Sequence, residues 1–223
     1  MGELIVVPTP VGNLEDITLR AIRSLKEAQT IYSEDTRVTK KLLSHLEISG
    51  KQLFAFHAHN EHKQIEKCLE TIQQNETTVL VSDAGTPGIS DPGFLLVRAC
   101  VEAGIKVSCL PGPTAFVPAL VSSGFPCDTF IFEGFLPHKK GRQTKWMSLK
   151  EEKRTVIFYE SPHRILKALE EVVTILGPDR EVCVAREISK FFEEYVRGKA
   201  SDVLEYYQKH TPKGEIVLLI KGV

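Results

Sequence analysis

Val79-Leu80-Val81-Ser82-Asp83-Ala84-Gly85-Thr86-Pro87-Gly88-Ile89-Ser90-Asp91-Pro92-Gly93 decides how this chain is read. An apolar run that reads as a buried strand passes straight into a loop punctuated by Gly and Pro, and a helix is predicted from about residue 92 to 103. A loop leaving the carboxyl edge of a parallel strand aims backbone N–H and C=O groups at a small molecule if no Cβ intervenes. Gly removes the Cβ and Pro sets the turn. The pattern recurs: Pro8-Thr9-Pro10-Val11-Gly12-Asn13 follows the apolar run 4–7, and Pro111-Gly112-Pro113-Thr114-Ala115 follows 107–110. Any one of these loops also reads as ordinary turn chemistry; three of them after buried-looking strands suggest a ligand pocket.

The segments between these loops alternate in the same way. Leu14, Ile17, Ala21, Ile22 and Leu25 recur at helical spacing, with Asn13 as expected N-cap and Glu15 and Asp16 in the first turn. Strands are predicted at 30–33, 52–57, 78–82 and 106–110, and helices carry Val38/Leu42/Leu43/Leu46 and Ile65/Cys68/Leu69/Ile72, with a last one over 114–123. Such alternation predicts an α/β fold with a mostly parallel, doubly wound sheet. Ser123-Gly124-Phe125-Pro126-Cys127-Asp128 breaks the rhythm, so the expected division is an N-terminal α/β domain over 1–125 and a C-terminal one over 126–223. In the second, strands are predicted at 129–135, 155–159, 181–185, 194–197 and 215–221, with helices at 142–152, 163–176 and 200–209. Two α/β lobes of similar size are expected to leave a cleft between them.

Composition narrows the function class. With 223 residues, 42% of them hydrophobic, the chain can bury a real core, and it has no apolar run of bilayer-spanning length and no signal-peptide start, so a cytoplasmic, non-membrane protein is expected. Five cysteines without a C-x-x-C pair read as core thiols. His57, His59 and His62 lack the partner spacing of a metal site, so no metal is expected. No G-x-S-x-G, Walker A or G-x-G-x-x-G pattern is present, which removes support for hydride and phosphoryl chemistry. The net charge of −1 argues against nonspecific nucleic-acid binding, although residues 128–223 carry 17 Lys and Arg against 15 Asp and Glu.

Several clusters are candidates for chemistry. Ser33-Glu34-Asp35-Thr36-Arg37 sets two carboxylates and a guanidinium directly after a strand, readable as a capped helix start or as a polar contact. His138-Lys139-Lys140-Gly141-Arg142-Gln143-Thr144-Lys145 is a basic loop that suits a phosphate backbone or is a solvated face. Glu160-Ser161-Pro162-His163-Arg164 and Ala185-Arg186-Glu187-Ile188-Ser189-Lys190 also follow strands.

Together, the loops at 8–16, 33–37, 81–93, 111–115 and 159–164 resemble those of the bacterial 2′-O-methyltransferases of small-subunit ribosomal RNA, a family of the tetrapyrrole-methylase fold superfamily. The resemblance runs from about residue 4 to about 220. It implies S-adenosylmethionine as donor, the 2′-hydroxyl of a cytidine in the decoding region of 16S ribosomal RNA, free or in the 30S subunit, as acceptor, and a homodimer. It also implies donor contacts from Pro10, Gly85, Thr86, Ile89, Thr114, Ala115, Phe132, Arg186 and Gly214. The family includes forms with a C-terminal extension; without one, RNA binding is expected to lean on the basic loop. A ribose hydroxyl needs a base nearby, and Glu34, Asp35, Glu187 and Lys190 are candidates, unranked. Arg37, Lys139, Lys140, Arg142 and Arg164 are the candidates for RNA contact. A methylase of a small tetrapyrrole or of a modified protein side chain, or an RNA-binding assembly factor with a vestigial cofactor pocket, remains open as an alternative.

Overall fold

The computed structural model describes residues 2–223, which divide into two compact units, the first ending at Thr114 and the second spanning Ala115–Val223. In the first, β1 (Glu3–Val6), β2 (Thr30–Ser33), β3 (Gln52–Ala55), β4 (Thr77–Val81) and β5 (Lys106–Cys109) form an all-parallel sheet of order β3-β2-β4-β1-β5. The connecting helices are α1 (Leu19–Glu27), α2 (Thr36–His45), α3 (Glu61–Gln74) and α4 (Phe94–Glu102). Alternation along each strand sorts the core. Ile5, Val7, Val79 and Val81 join Leu25 and Leu43 on one face, while Leu4, Val6 and Leu80 join Cys68, Ile72 and Leu96 on the other. This is the doubly wound arrangement read from the alternation.

In the second unit α5 (Phe116–Ser123), β6 (Phe130–Phe135), α6 (Arg142–Ser148), β7 (Thr155–Glu160), α7 (Ile165–Glu171), β8 (Glu181–Arg186), β9 (Glu194–Lys199), α8 (Ala200–Lys209) and β10 (Ile216–Ile220) follow in order. The sheet order is β6-β7-β10-β8-β9, and only β6 and β7 run parallel. The loop between β8 and β9 is too short to hold a crossover helix, so that pair is antiparallel. β10, buried at every position, lies between β7 and β8. Trp146, Leu169, Val203 and Tyr207 cover one face of this sheet. Ala119 and Leu120 of α5 cover the other. That packing puts α5 with the second unit, ahead of the Gly124 to Pro126 punctuation where a division was expected.

Local expectations change in three places. Asn13 caps a 3₁₀ turn, Leu14–Asp16, by accepting from the Glu15 N–H, and Thr18 is the cap of α1. α6 stops at Ser148, and α7 passes into a π-helical turn, Val172–Leu176, before Gly177. Of the cysteines, Cys68, Cys100 and Cys183 are core thiols, but Cys109 and Cys127 are exposed. Among the described residues no helix is long and apolar enough to cross a membrane.

Candidate active site

β4, β1 and β5 are neighbours, so the three Gly/Pro loops leave the sheet side by side. Hydrogen bonds weld them together. Thr9 and Gly85 exchange two backbone hydrogen bonds of 2.9 Å, and Thr9 Oγ1 donates to the Ser82 carbonyl at 3.0 Å. Thr86 Oγ1 donates to the Pro113 carbonyl at 3.0 Å and lies 3.2 Å from Thr114 Oγ1. Gly85 has φ +82°, and a Cβ there would meet only ordinary contacts, Val11 Cγ1 at 3.6 Å being the nearest. What the position excludes is an L side chain's backbone conformation. Gly112 has a different duty from the one its loop suggested, because a Cβ would strike Pro8 at 2.8 Å.

These loops offer a small polar ligand one wall. Pro10 lines a recess of about 180 Å³ with Thr9, Val38, Thr39 and Asp83, below the ~300 Å³ at which pockets begin to enclose such ligands. Ile89, 37% exposed, donates its N–H to the Thr86 carbonyl. α4 and α5, which follow the second and third loops, begin at Gly93 and Ala115 with no side-chain cap. Uncapped helix starts suit an anionic group such as an amino-acid carboxylate.

The chain leaves β2 toward β3 and β4 toward β5, so the carboxyl ends of these adjacent strands part into a crevice. Carboxylates gather there. Asp83 Oδ1 accepts from the Asp35 N–H at 2.9 Å, joining the two loops. Asp35 caps α2 through the Arg37 N–H and pairs with the Arg37 guanidinium at 2.6 Å, which holds its carboxyl down at about 2. It is therefore a poor base. Burial, and then the charge of Asp83, push Glu34 up. Asp91 goes further: burial, then Glu34, push it up to about 7, against a bond from Ser82. Reading the sequence missed Asp91 as a candidate because Ser-Asp-Pro-Gly looks like turn chemistry alone.

Since the folded pKa of Asp91 lies above the unfolded 3.8, its stabilising contribution is complete below about pH 4 and is lost as pH rises through about 7. Asp91→Asn is thus expected to match the parent in acid and to exceed it by about 1–2 kcal/mol at pH 8, the nominal shift being discounted for partial solvent screening. Denaturant midpoints at pH 4 and pH 8 check this; the same difference at both pH values refutes it.

In the second unit Arg186, Glu187, Lys190 and Gly214 come together. Arg186 Nε lies 3.2 Å from Glu194 Oε2, and its Nη1 donates to the Lys213 carbonyl at 3.4 Å. Glu187 Oε1 accepts from the Glu215 N–H and from Lys190 Nζ, each at 2.9 Å. Burial pushes Glu187 up, but those two donors outweigh it and hold the carboxyl low. Burial likewise pushes Lys190 down, yet Glu215 and Glu187 keep its ammonium charged. Neither is set up as a base. Gly214, at φ +80°, leaves room for the Glu187 carboxyl, which sits 2.2 Å from where a Cβ would be. Phe132 lies apart from this cluster on β6, stacked on Phe116 at 4.6 Å and edge-on to Tyr159.

The basic loop divides into exposed and buried cations. Lys139 and Lys140 are exposed, and Lys145 pairs with Glu133 at 2.7 Å. Arg142 does not face solvent, contrary to the expectation of an RNA contact. It is 4% exposed, its Nε donates to Glu171 at 2.7 Å, and its Nη1 donates to the Pro137 carbonyl. Arg164 is also held inward, its Nε 3.2 Å from Glu160 Oε1 and its Nη2 donating to the Leu136 carbonyl at 2.5 Å. A guanidinium fork satisfies carboxylate and carbonyl at once, which is why these two are taken into the fold and the lysines are not. Arg37 stays accessible, its side chain 86% exposed beside Asp35.

Comparisons with known proteins agree with this architecture. A family model described as "Tetrapyrrole (Corrin/Porphyrin) Methylases" matches residues 3–204. "Ribosomal RNA small subunit methyltransferase I" of Thermotoga maritima is 46% identical over 222 residues, covering 100% of this chain and 99% of the relative. The protein of that name from Synechocystis is 48% identical over 223 residues, covering 100% of this chain and 80% of the relative. Among solved structures, uroporphyrin-III C-methyltransferase from Thermus thermophilus, complexed with S-adenyl homocysteine, superposes with a TM-score of 0.67 at 19% identity, over 99% of this chain and 97% of that one.

Proposed function

Because the chain belongs to the tetrapyrrole methylases and, within them, to the ribosomal RNA small subunit methyltransferase I family, we propose that it methylates the 2′-hydroxyl of a cytidine in the decoding region of 16S ribosomal RNA. What carries the substrate class is identity of 46–48% along the whole chain to relatives bearing that name. S-adenosylmethionine is the donor, and when bound it supplies an electrophilic methyl group on a sulfonium. The welded loops fit such a ligand: Pro10, Gly85, Thr86, Ile89 and Thr114 would hold it, with Ala115, Phe132, Arg186 and Gly214 as the second unit's contribution. The uncapped start of α4, which follows the second loop, suits its carboxylate.

Acceptor activation falls to the carboxylates at the ends of β2 and β4. A base works best when its pKa lies near the working pH, which favours Asp91, with Glu34 beside it, over Asp35, Glu187 and Lys190. Lys139 and Lys140 would meet the RNA backbone, with Arg37 a further candidate. The protein acts as a cytoplasmic homodimer on RNA or on the 30S subunit.

Mass mapping of ribose methylation in ribosomal RNA, from cells with and without this chain, tests the reading. One decoding-region cytidine is expected to lose its ribose methyl and regain it on complementation; an unchanged map refutes the assignment. Lys139→Ala with Lys140→Ala is expected to weaken RNA binding and to reduce the slope of log affinity against log salt by roughly 1.5–2, without change in donor affinity. An unaltered slope returns the loop to a solvated face.

A further inference from the structure

Two aromatic side chains stand clear of the second unit where the chain turns from β8 to β9. Phe191 is 94% exposed and Phe192 65%, their rings perpendicular with centroids 5.0 Å apart. Leaving two adjacent Phe rings in water forgoes the stabilisation of burying them, so such a pair marks a place where something docks. The turn beneath them is firmly built. Glu187 and Ser189 both hold left-handed backbone, at φ 52° and 64°. Ser189 N–H donates to Glu193 Oε2 at 2.6 Å, Lys190 N–H donates to the Glu187 carbonyl at 3.0 Å, and Lys190 Nζ ties Glu187 to Glu215. Strained non-glycine backbone persists only when its surroundings enforce it, and it concentrates at ligand clamps.

We propose that Phe191 and Phe192 form a stacking platform for an unpaired base of the RNA substrate, an inference that rests on the reading of this chain as a ribosomal RNA methyltransferase. The size of the patch favours this occupant. Two Phe rings offer on the order of 300 Å², well short of the ~800 Å² that each partner gives to a stable dimer. A base needs only a ring face, and perpendicular rings leave one free. Charge does not select the occupant: Glu187 and Glu215 are paired with Lys190, Glu194 with Arg186, and Glu193 accepts from the Ser189 N–H, with Lys213 exposed nearby. The turn therefore carries no excess of positive charge, and its hold on RNA rests on the ring face and not on phosphate. Because the turn is held in place, stacking costs little ordering entropy.

The full chain carrying Phe191→Ala and Phe192→Ala is compared with the parent, using S-adenosylmethionine and a single-stranded decoding-region oligonucleotide. KM for RNA is expected to rise by on the order of tenfold or more, with donor affinity by calorimetry unchanged. Phe191→Trp is expected to restore KM, and its fluorescence to be quenched by the oligonucleotide, the native Trp146 being buried. If the parent methylates the RNA and the double variant keeps its KM within about twofold, the platform is refuted. Loss of dimers in the double variant by sedimentation also refutes it, assigning the rings to a contact between copies. If the parent itself leaves every RNA unmethylated, the substrate reading fails first and this inference falls with it.

Discussion

Gly85→Val is expected to weaken S-adenosylmethionine binding at least about a hundredfold in a chain that stays folded. Two costs combine. A β-branched residue is a genuine outlier at positive φ, so the backbone must leave φ +82°. Leaving it breaks the paired 2.9 Å bonds to Thr9 and swings Thr86 away from Pro113 and Thr114. Three loops then lose registration together, which is the sensitivity expected of a preorganised site. Space is not the obstacle, so Gly85→Ala is expected to be milder, costing about 1–2 kcal/mol. Calorimetry decides it, with circular dichroism as the folding control; parent affinity in the valine variant would mean that another loop carries the donor.

Arg142→Ala is expected to destabilise the second unit by about 3–5 kcal/mol, because the partly buried Glu171 would lose its cation and the buried Glu160 would be left with Arg164 alone. Glu160 is 2% exposed; among the described residues its Oε2 has no hydrogen-bond donor and lies 3.8 Å from Arg142 Nη1, while Arg164 Nε lies 3.2 Å from its Oε1. At ~2–4 °C per kcal/mol for a chain of this size, the melting temperature is expected to drop by about ten degrees. Arg142→Lys is expected to rescue it only partly, since an ammonium cannot reach Glu171 and the Pro137 carbonyl through one planar fork. A melting temperature within about two degrees of the parent would show that the buried network is dispensable.

Arg142 also shows where sequence reading stops. In the string Lys139-Lys140-Gly141-Arg142 three cations look alike, and whether one faces water depends on Glu171, 29 residues away. The acids behave the same way. Asp35 sits two residues from Arg37, and that pair was legible locally. The elevation of Asp91 depends on Glu34, which comes alongside only because β2 and β4 are neighbours. Phe191 and Phe192 carry no periodicity that marks them as exposed; the β8–β9 turn does that.

By itself the sequence determined whatever depends on neighbours in the chain. Apolar alternation set the strands and helices of the parallel sheet, and Gly and Pro after buried runs set the three loops. Tertiary structure decided whatever depends on partners brought from afar: the antiparallel pairing in the second sheet, the docking of α5 onto it, the burial of Arg142 and the inward pairing of Arg164, and which carboxyl keeps its proton near neutrality. The physical reason is one of range. Backbone conformation and hydrophobic period act within a few residues, whereas burial and electrostatic pairing are set by whichever groups the folded topology places within a few ångströms.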